Sequence, residues 1–320
     1  MGLSLEMTRF LLTARMQGVR FDDTLTLGRQ HMTPGPKRLE SLLAADGLWP
    51  AGAEGEAFRA ELTAAQWRFD VFSQRLGVKR LVACDASAFE GAEFVLDLNQ
   101  PVGPEREQQF DVIIDGGTLE HVFNFPVAMS NVMRMLRVGG HFLCSTPANN
   151  ECGHGFYQFS PELFFRVFSE ADGFRVKRCL ALTDGTLLAR FLGVAYPYHA
   201  RGRLYEVTDP AKAGERVMMM SSLPAYLMVL AEKTAHVTPF RAAPQQSDYV
   251  PQWQAGRTVT PLDAMGGGSS TEGWLRRTFS EDFCREVLPR LAGLLDPLRT
   301  WRHRRRNSFA NRAWFRPVER

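Results

Sequence analysis

The chain has 320 residues, of which 45% are hydrophobic and 23% charged. This is the balance of an ordinary globular protein, with room for one large α/β domain and an appendage, and it excludes a disordered or collagen-like chain. The formal net charge of +3 conceals an asymmetry: residues 297–320 hold eight arginines against one acid, Glu319, so the rest of the chain is mildly acidic and the overall charge says little about what it binds.

No run approaches the ~18–20 apolar residues of a membrane span. Glu6, Arg9, Arg15 and Arg20 interrupt the first 21 positions, unlike a signal-peptide core. The expected location is therefore the cytoplasm. Gly2 gives no myristoylation signal, because Glu6 stands where Ser or Thr is needed. Cys84, Cys144, Cys152, Cys179 and Cys284 form no CxxC pair, so neither a disulfide framework nor a zinc ribbon is expected. Cys84 and Cys144 lie in apolar runs and read as small core residues.

In chain order, Leu5, Phe10, Leu11, Leu12 and Met16 predict a helix over residues 4–17, closed by Gly18. Residues 24–27 read as a buried strand running into a turn at Gly28. Residues 31–79 read as a helical insertion, with a helix over 37–45, a Pro/Gly-rich break, and one longer helix over 57–76 capped by Gly77. Strands are predicted at 80–84, 93–96 and 110–114, followed by Asp85, Asp97 and Asp115. A helix over 126–136 and the Gly139-Gly140 turn lead to a strand at 141–146. Ser160-Pro161 places a hydroxyl cap before a proline at the first helical position, so a helix is expected to Phe168. The last strands are expected at 174–182 and 225–231.

Alternation of this kind implies a mostly parallel sheet with helices on both faces. Ligands of such sheets sit beyond the carboxyl ends of the strands, where strand order reverses. The residues following Leu27, Cys84, Leu96 and Ile114 are thus the candidates. The expected organisation is an N-terminal helix (1–20), a main domain (21–235) and a linker with a helical, basic extension (236–320). Gly266–Ser270 reads as a flexible linker, since no lysine follows it to make a phosphate loop. Residues 280–295 have helical spacing, kinked at Pro289. The tail Trp301–Arg306, with Phe309, Trp314 and Phe315, has three readings: a packed arm, a nucleic-acid contact through Arg302–Arg306, or a surface for anionic lipid or glycolipid. A packed or disordered arm is favoured, because no RNA-binding module accompanies the arginines.

The segment Phe110-Asp-Val-Ile-Ile-Asp-Gly-Gly-Thr-Leu-Glu-His-Val122, the helix with Asn131 and Arg134, and Leu136-Arg-Val-Gly-Gly-His-Phe-Leu143 together resemble class I S-adenosylmethionine-dependent methyltransferases. The resemblance spans about residues 18–231 and is closest to a bacterial subgroup acting on small molecules or saccharides, through Leu27–Gln30, Asp85–Ser87, Asp97–Asn99 and Gly155–Pro161. It implies a Rossmann-like, doubly wound, seven-stranded, mostly parallel sheet with an antiparallel last strand. It also implies S-adenosylmethionine as cofactor and methyl transfer to an oxygen or nitrogen of a small polar acceptor, such as a sugar or glycan precursor.

Residue by residue, Asp85 is placed to accept bonds from both ribose hydroxyls. The resemblance sets Asp97 against the adenine amino group, with Leu98 or Ala86 on the ring face; the turn Asp97–Pro101 is also a good turn in its own right. Gly28 admits close backbone approach, but the family's further glycines are replaced by Arg29-Gln30-His31, so Gln30 is read as a partner for the methionyl carboxylate or amine. Asp115, with Gly116 and Gly117, lies where the family brings backbone near the reactive methyl. The distance in sequence from Gly28 to Asp85 far exceeds the ~20 residues of a compact unit, and the extra helices read as a lid or substrate wall.

A base with pKa near neutrality helps a hydroxyl acceptor, so His121 and His154 are the candidates. Both also read as structural residues. Tyr157 joins them in the acceptor loop 147–159, whose polar and aromatic mix suits a small polar molecule or sugar. No tight cluster of His, Asp and Glu along the sequence argues for a metal. Two other functions compete: a binding protein that kept the fold and lost the chemistry, and an RNA methyltransferase using the tail.

Overall fold

The computed structural model describes residues 2–33, 36–45, 47–183, 203–214, 216–221, 223–249, 301 and 304–318. The first helix, α1 (Leu5–Met16), begins where expected because the Ser4 hydroxyl accepts the Met7 N–H. Before it, β1 (Gly2–Leu3) pairs in parallel with β3 (His31–Met32). The insertion contains α2 (Pro36–Ala45), α3 (Gly52–Ala64) and α4 (Phe69–Ser73). The single helix expected over 57–76 is thus broken: Gln66 and Trp67 adopt left-handed φ of 52° and 58°, reversing the chain between α3 and α4.

The remaining strands are β2 (Asp23–Leu27), β4 (Arg80–Asp85), β5 (Phe94–Val95), β6 (Phe110–Asp115), β7 (Leu136–Asn149), β8 (Phe174–Thr183), β9 (Arg203–Val207), β10 (Ala225–Lys233) and β11 (Phe315–Pro317). They form one sheet in the order β11-β9-β8-β10-β7-β6-β2-β4-β5. From β5 to β7 every neighbour pair is parallel, and β10 runs antiparallel between β7 and β8. Seven of these strands follow the expected pattern. Among the described residues the sheet has nine strands where seven were expected, because β9 and β11 extend the β8 edge.

Strand alternation divides the core between the two faces. Val112, Ile114, Leu143 and Met228 point to the face covered by α1 to α4, while Ile113, Phe142, Cys144 and Val229 point to the other, covered by α5 (Phe125–Met135) and α6 (Pro161–Val167). Ser160 caps α6 through its hydroxyl, as its sequence predicts. A short helix, α7 (Pro210–Ala213), follows β9. The tail belongs to the second face: Phe309, Trp314 and Phe315 are buried in its core. Through these three residues the described part of the tail packs as an arm against the core. The expected linker 266–270 and helix 280–295 lie outside the described residues. Among the described residues, no helix is long and apolar enough to cross a membrane.

Cys84, Cys144 and Cys179 are buried and unpaired, and burial pushes the Cys84 thiol up to about 12. Such thiols are packing residues. Cys152 is exposed and Cys284 lies outside the described residues.

Candidate active site

Strand order reverses between β2 and β6: from β2 the chain steps outward to β4 and β5, then returns to β6 on the other side. The carboxyl ends of these strands hold the predicted nucleoside residues. Asp85 ends β4 half-buried, with Oδ1 accepting the Ala86 N–H at 2.7 Å. Ala86 and Asp97 are exposed, and Asp97 Oδ1 accepts both the backbone and side-chain N–H groups of Asn99. Those bonds hold the Asp97 carboxyl below its usual range. Leu98 packs into the core. The loop from 98 to 102 is tied down by Asn131, whose amide accepts the Val102 N–H and donates to Leu98 O and Gln100 O.

At the end of β2, Gly28 has φ +71° and donates to Cys84 O, as a close turn requires. The chain then leaves in an extended path into β3. Arg29 is itself buried, its guanidinium clamped by Asp70, Glu93 and Gly91 O. Gln30 is buried as well. Its side chain is 1% exposed and donates to Leu27 O, while its Oε1 is buried without a partner and lies against Gly116. Leu3 of β1 packs on the same glycine, so a side chain at 116 has no room.

Asp115 ends β6 fully buried. Its Oδ1 accepts the Gly117 and Thr118 N–H groups, and its Oδ2 has no partner. Burial pushes its carboxyl up to about 6. Glu120, five residues on, is 1% exposed and is pushed up to about 8 by burial and by the charge of Asp115. Its Oε2 takes a long bond from the Thr146 hydroxyl, and its Oε1 faces His154 Nε2 at 3.5 Å without a hydrogen bond. Buried acceptors left unpaired are costly.

The acceptor loop docks here. The carbonyl of Glu120 accepts the N–H groups of Phe156 and Tyr157, which brings the His121 and His154 rings to 5.2 Å between centroids. Burial, and then His154, hold the His121 imidazole below its ordinary pKa. Tyr157 spends its hydroxyl on Phe123 O at 2.6 Å and its ring on Phe125 and Phe159, so it shapes the loop. Phe123 and Phe156 meet edge to face and are mostly exposed, forming an apolar ledge beside the two histidines.

The predicted residues therefore fall into two groups. Asp85, Ala86 and Asp97 surround the tips of β4 and β5. Gln30, Asp115, His121 and His154 surround the tips of β2 and β6. Glu120 had no assigned role in the sequence reading, although its place before His121 in Leu-Glu-His-Val was the available signal. It also corrects the expectation that no His/Asp/Glu cluster exists: Glu120, His121 and His154 place one ligand atom each within 4.8 Å of the others.

No family model matches the chain, and neither does any curated protein. Among solved structures it is similar to a Bacillus halodurans C-125 protein described as a methyltransferase, at 14% identity over 70% of this chain and 99% of that one, TM-score 0.34. It is also similar to the Burkholderia thailandensis 1,6-didemethyltoxoflavin-N1-methyltransferase, solved with 1,6-didemethyltoxoflavin and S-adenosylhomocysteine, at 15% identity over 72% and 79% of the two chains, TM-score 0.34. A third is the N-methyltransferase NodS of Bradyrhizobium japonicum WM9, at 14% identity over 72% and 96%, TM-score 0.33. Superpositions this loose decide nothing about the reaction, which specific side chains must carry.

Proposed function

We propose that the chain transfers a methyl group from S-adenosylmethionine to an oxygen or nitrogen of a small polar acceptor. The observation that carries this reading is the pair of unpaired buried acceptors at the strand reversal, Gln30 Oε1 and Asp115 Oδ2. Among the described ion pairs, no lysine or arginine compensates Asp115 or Glu120. Such a place favours a cation with several donors, and the methionyl ammonium has three.

Asp85, with Oδ2 free of described bonds, supports the reading as the ribose acceptor, and the exposed Ala86 and Asp97 leave the adenine end open. When bound, the cofactor supplies an electrophilic methyl on a good leaving group. The chain's own task is then alignment, worth several kcal/mol, and removal of a proton. His121, held neutral at pH 7 by its lowered pKa, accepts that proton from the attacking O–H or N–H. The ledge of Phe123 and Phe156 suits an acceptor with a flat, partly apolar face, such as a sugar or an aromatic ring.

The test is calorimetric and thermal titration with S-adenosylhomocysteine. Saturation at 100 times Kd stabilises a selective binder by about 2.7 kcal/mol. The wild-type melting temperature is expected to rise, and Asp85→Ala is expected to abolish the rise. An equal rise in the variant would remove Asp85 from the site, and no binding by the wild type would remove the reaction.

A further inference from the structure

Glu120, His121 and His154 are brought together by two loops locked to each other. Glu120 and His121 follow β6, His154 follows β7, and the bonds from Phe156 and Tyr157 to Glu120 O fix the crossing. The approach is so close that a Cβ on Gly155 would meet His121 Nδ1 at 3.1 Å. Glu120 is 1% exposed, and its Oε1, without a hydrogen-bond partner, is aimed at His154 Nε2, 3.5 Å away. A buried carboxylate oxygen with nothing to bond and two imidazoles in front of it is a ligand set awaiting a cation.

The dimensions agree. Zinc-type ions hold imidazole nitrogen and carboxylate oxygen at ~2.0–2.2 Å, which sets ligand atoms ~3–4 Å apart. The three atoms here all lie within 4.8 Å of one another, so small side-chain rotations close the shell. An outer carboxylate is within a side-chain rotation: Glu151 Oε2 lies 3.9 Å from His154 Nδ1, the ring nitrogen away from Glu120, without a hydrogen bond. Carboxylates in that position orient ligating histidines and raise their basicity. Two imidazoles and one carboxylate disfavour magnesium and calcium and suit iron(II), zinc, cobalt or nickel.

We propose that Glu120, His121 and His154 form a binding site for one divalent transition-metal ion, ligated by the buried carboxylate and the two imidazoles. Both histidines face solvent beside the Phe123–Phe156 ledge, so the remaining coordination positions open toward the acceptor, as in catalytic and not structural sites. The use of the ion rests on the methyl-transfer reading; its binding does not. With an ion held there, His121 would serve as ligand and not as base; an acceptor hydroxyl on the ion would give its proton to water, its oxygen would bond the methyl carbon, and the sulfonium C–S bond would break to release S-adenosylhomocysteine.

The full chain, stripped with chelator, is titrated with Co²⁺ alone and followed by visible absorption, with Zn²⁺ as competitor. The wild type is expected to bind one equivalent with d–d bands of nitrogen and oxygen ligation. His154→Asn and His121→Asn should each weaken binding about 100-fold or more, and Glu151→Gln about 10-fold. His154 is solvent-facing, so its variant should melt like the metal-free wild type and still bind S-adenosylhomocysteine. Absence of stoichiometric binding by the folded wild type, or wild-type affinity in both histidine variants, overturns the site. If Co²⁺ binds while S-adenosylhomocysteine does not, the metal site stands and the methyl-transfer reading falls.

Discussion

A Cβ atom on residue 155 would lie 2.8 Å from the carbonyl oxygen of Glu120. Only glycine lets the acceptor loop close onto the turn after β6, and that closure sets the spacing of His121 and His154. Gly155→Ala is therefore expected to push the loops apart, at a cost of about 1–3 kcal/mol from overpacking. Turnover should fall while S-adenosylhomocysteine affinity holds, because the nucleoside residues lie on other strands. Steady-state kinetics beside calorimetry would separate the two, and equal losses in both would refute the division of the site.

Asn131 connects α5 to the loop that carries Asp97. Replacing it with Ala leaves the Val102 N–H and two carbonyls without their buried partners, and unsatisfied buried groups cost about 1–3 kcal/mol each. Denaturation should show a loss of at least about 2 kcal/mol, with weaker nucleoside binding. Asn131→Ala with unchanged stability would mean that the loop holds itself.

The two buried acids set a pH dependence. Glu120 titrates in the fold at about 8, against 4.5 as its ordinary value, so between these limits the native state binds more protons than the unfolded chain. Stability from this group is full at low pH and is lost as pH rises through the folded pKa. Asp115, at about 6, acts in the same direction over a lower range. Since one pKa unit corresponds to about 1.4 kcal/mol, Glu120→Gln should gain on the metal-free wild type as the pH moves from 5 to 8. Urea denaturation at both values measures this; a difference independent of pH would show that Glu120 titrates normally.

The basic tail contributes to the core through Trp314, 2% exposed, and Phe315, which is fully buried. Trp314→Ala is expected to cost about 3–5 kcal/mol. A nucleic-acid role for the tail is accordingly better tested with Arg304→Ser and Arg305→Ser, which lie on a cleft with Asn150 and Trp301, than by truncation. Salt-dependent RNA affinity that vanishes in those variants while the fold holds would revive the RNA reading.

Much of this was readable in the sequence wherever the signal is local. Period-two and period-3.6 patterns, the Ser4 and Ser160 caps, and acids ending β4 and β6 all depend on neighbours a few residues apart. Features built by distant contacts were not readable. The Arg29 clamp joins residues 41 and 64 positions away. The break at Gln66–Trp67 is held by Met32 bonding to Trp67 O, and β11 takes its strand conformation by pairing with the distant β9. The meeting of Glu120 with His154 belongs to the same class, since it needs two loops to cross.

Leu3 rests on Gly116 beside Gln30, and the segment bearing it is held to β3 over only Gly2 and Leu3. A side chain added at 116 would therefore have to displace Leu3 and Gln30 together, and with Leu3 the pairing of β1 with β3.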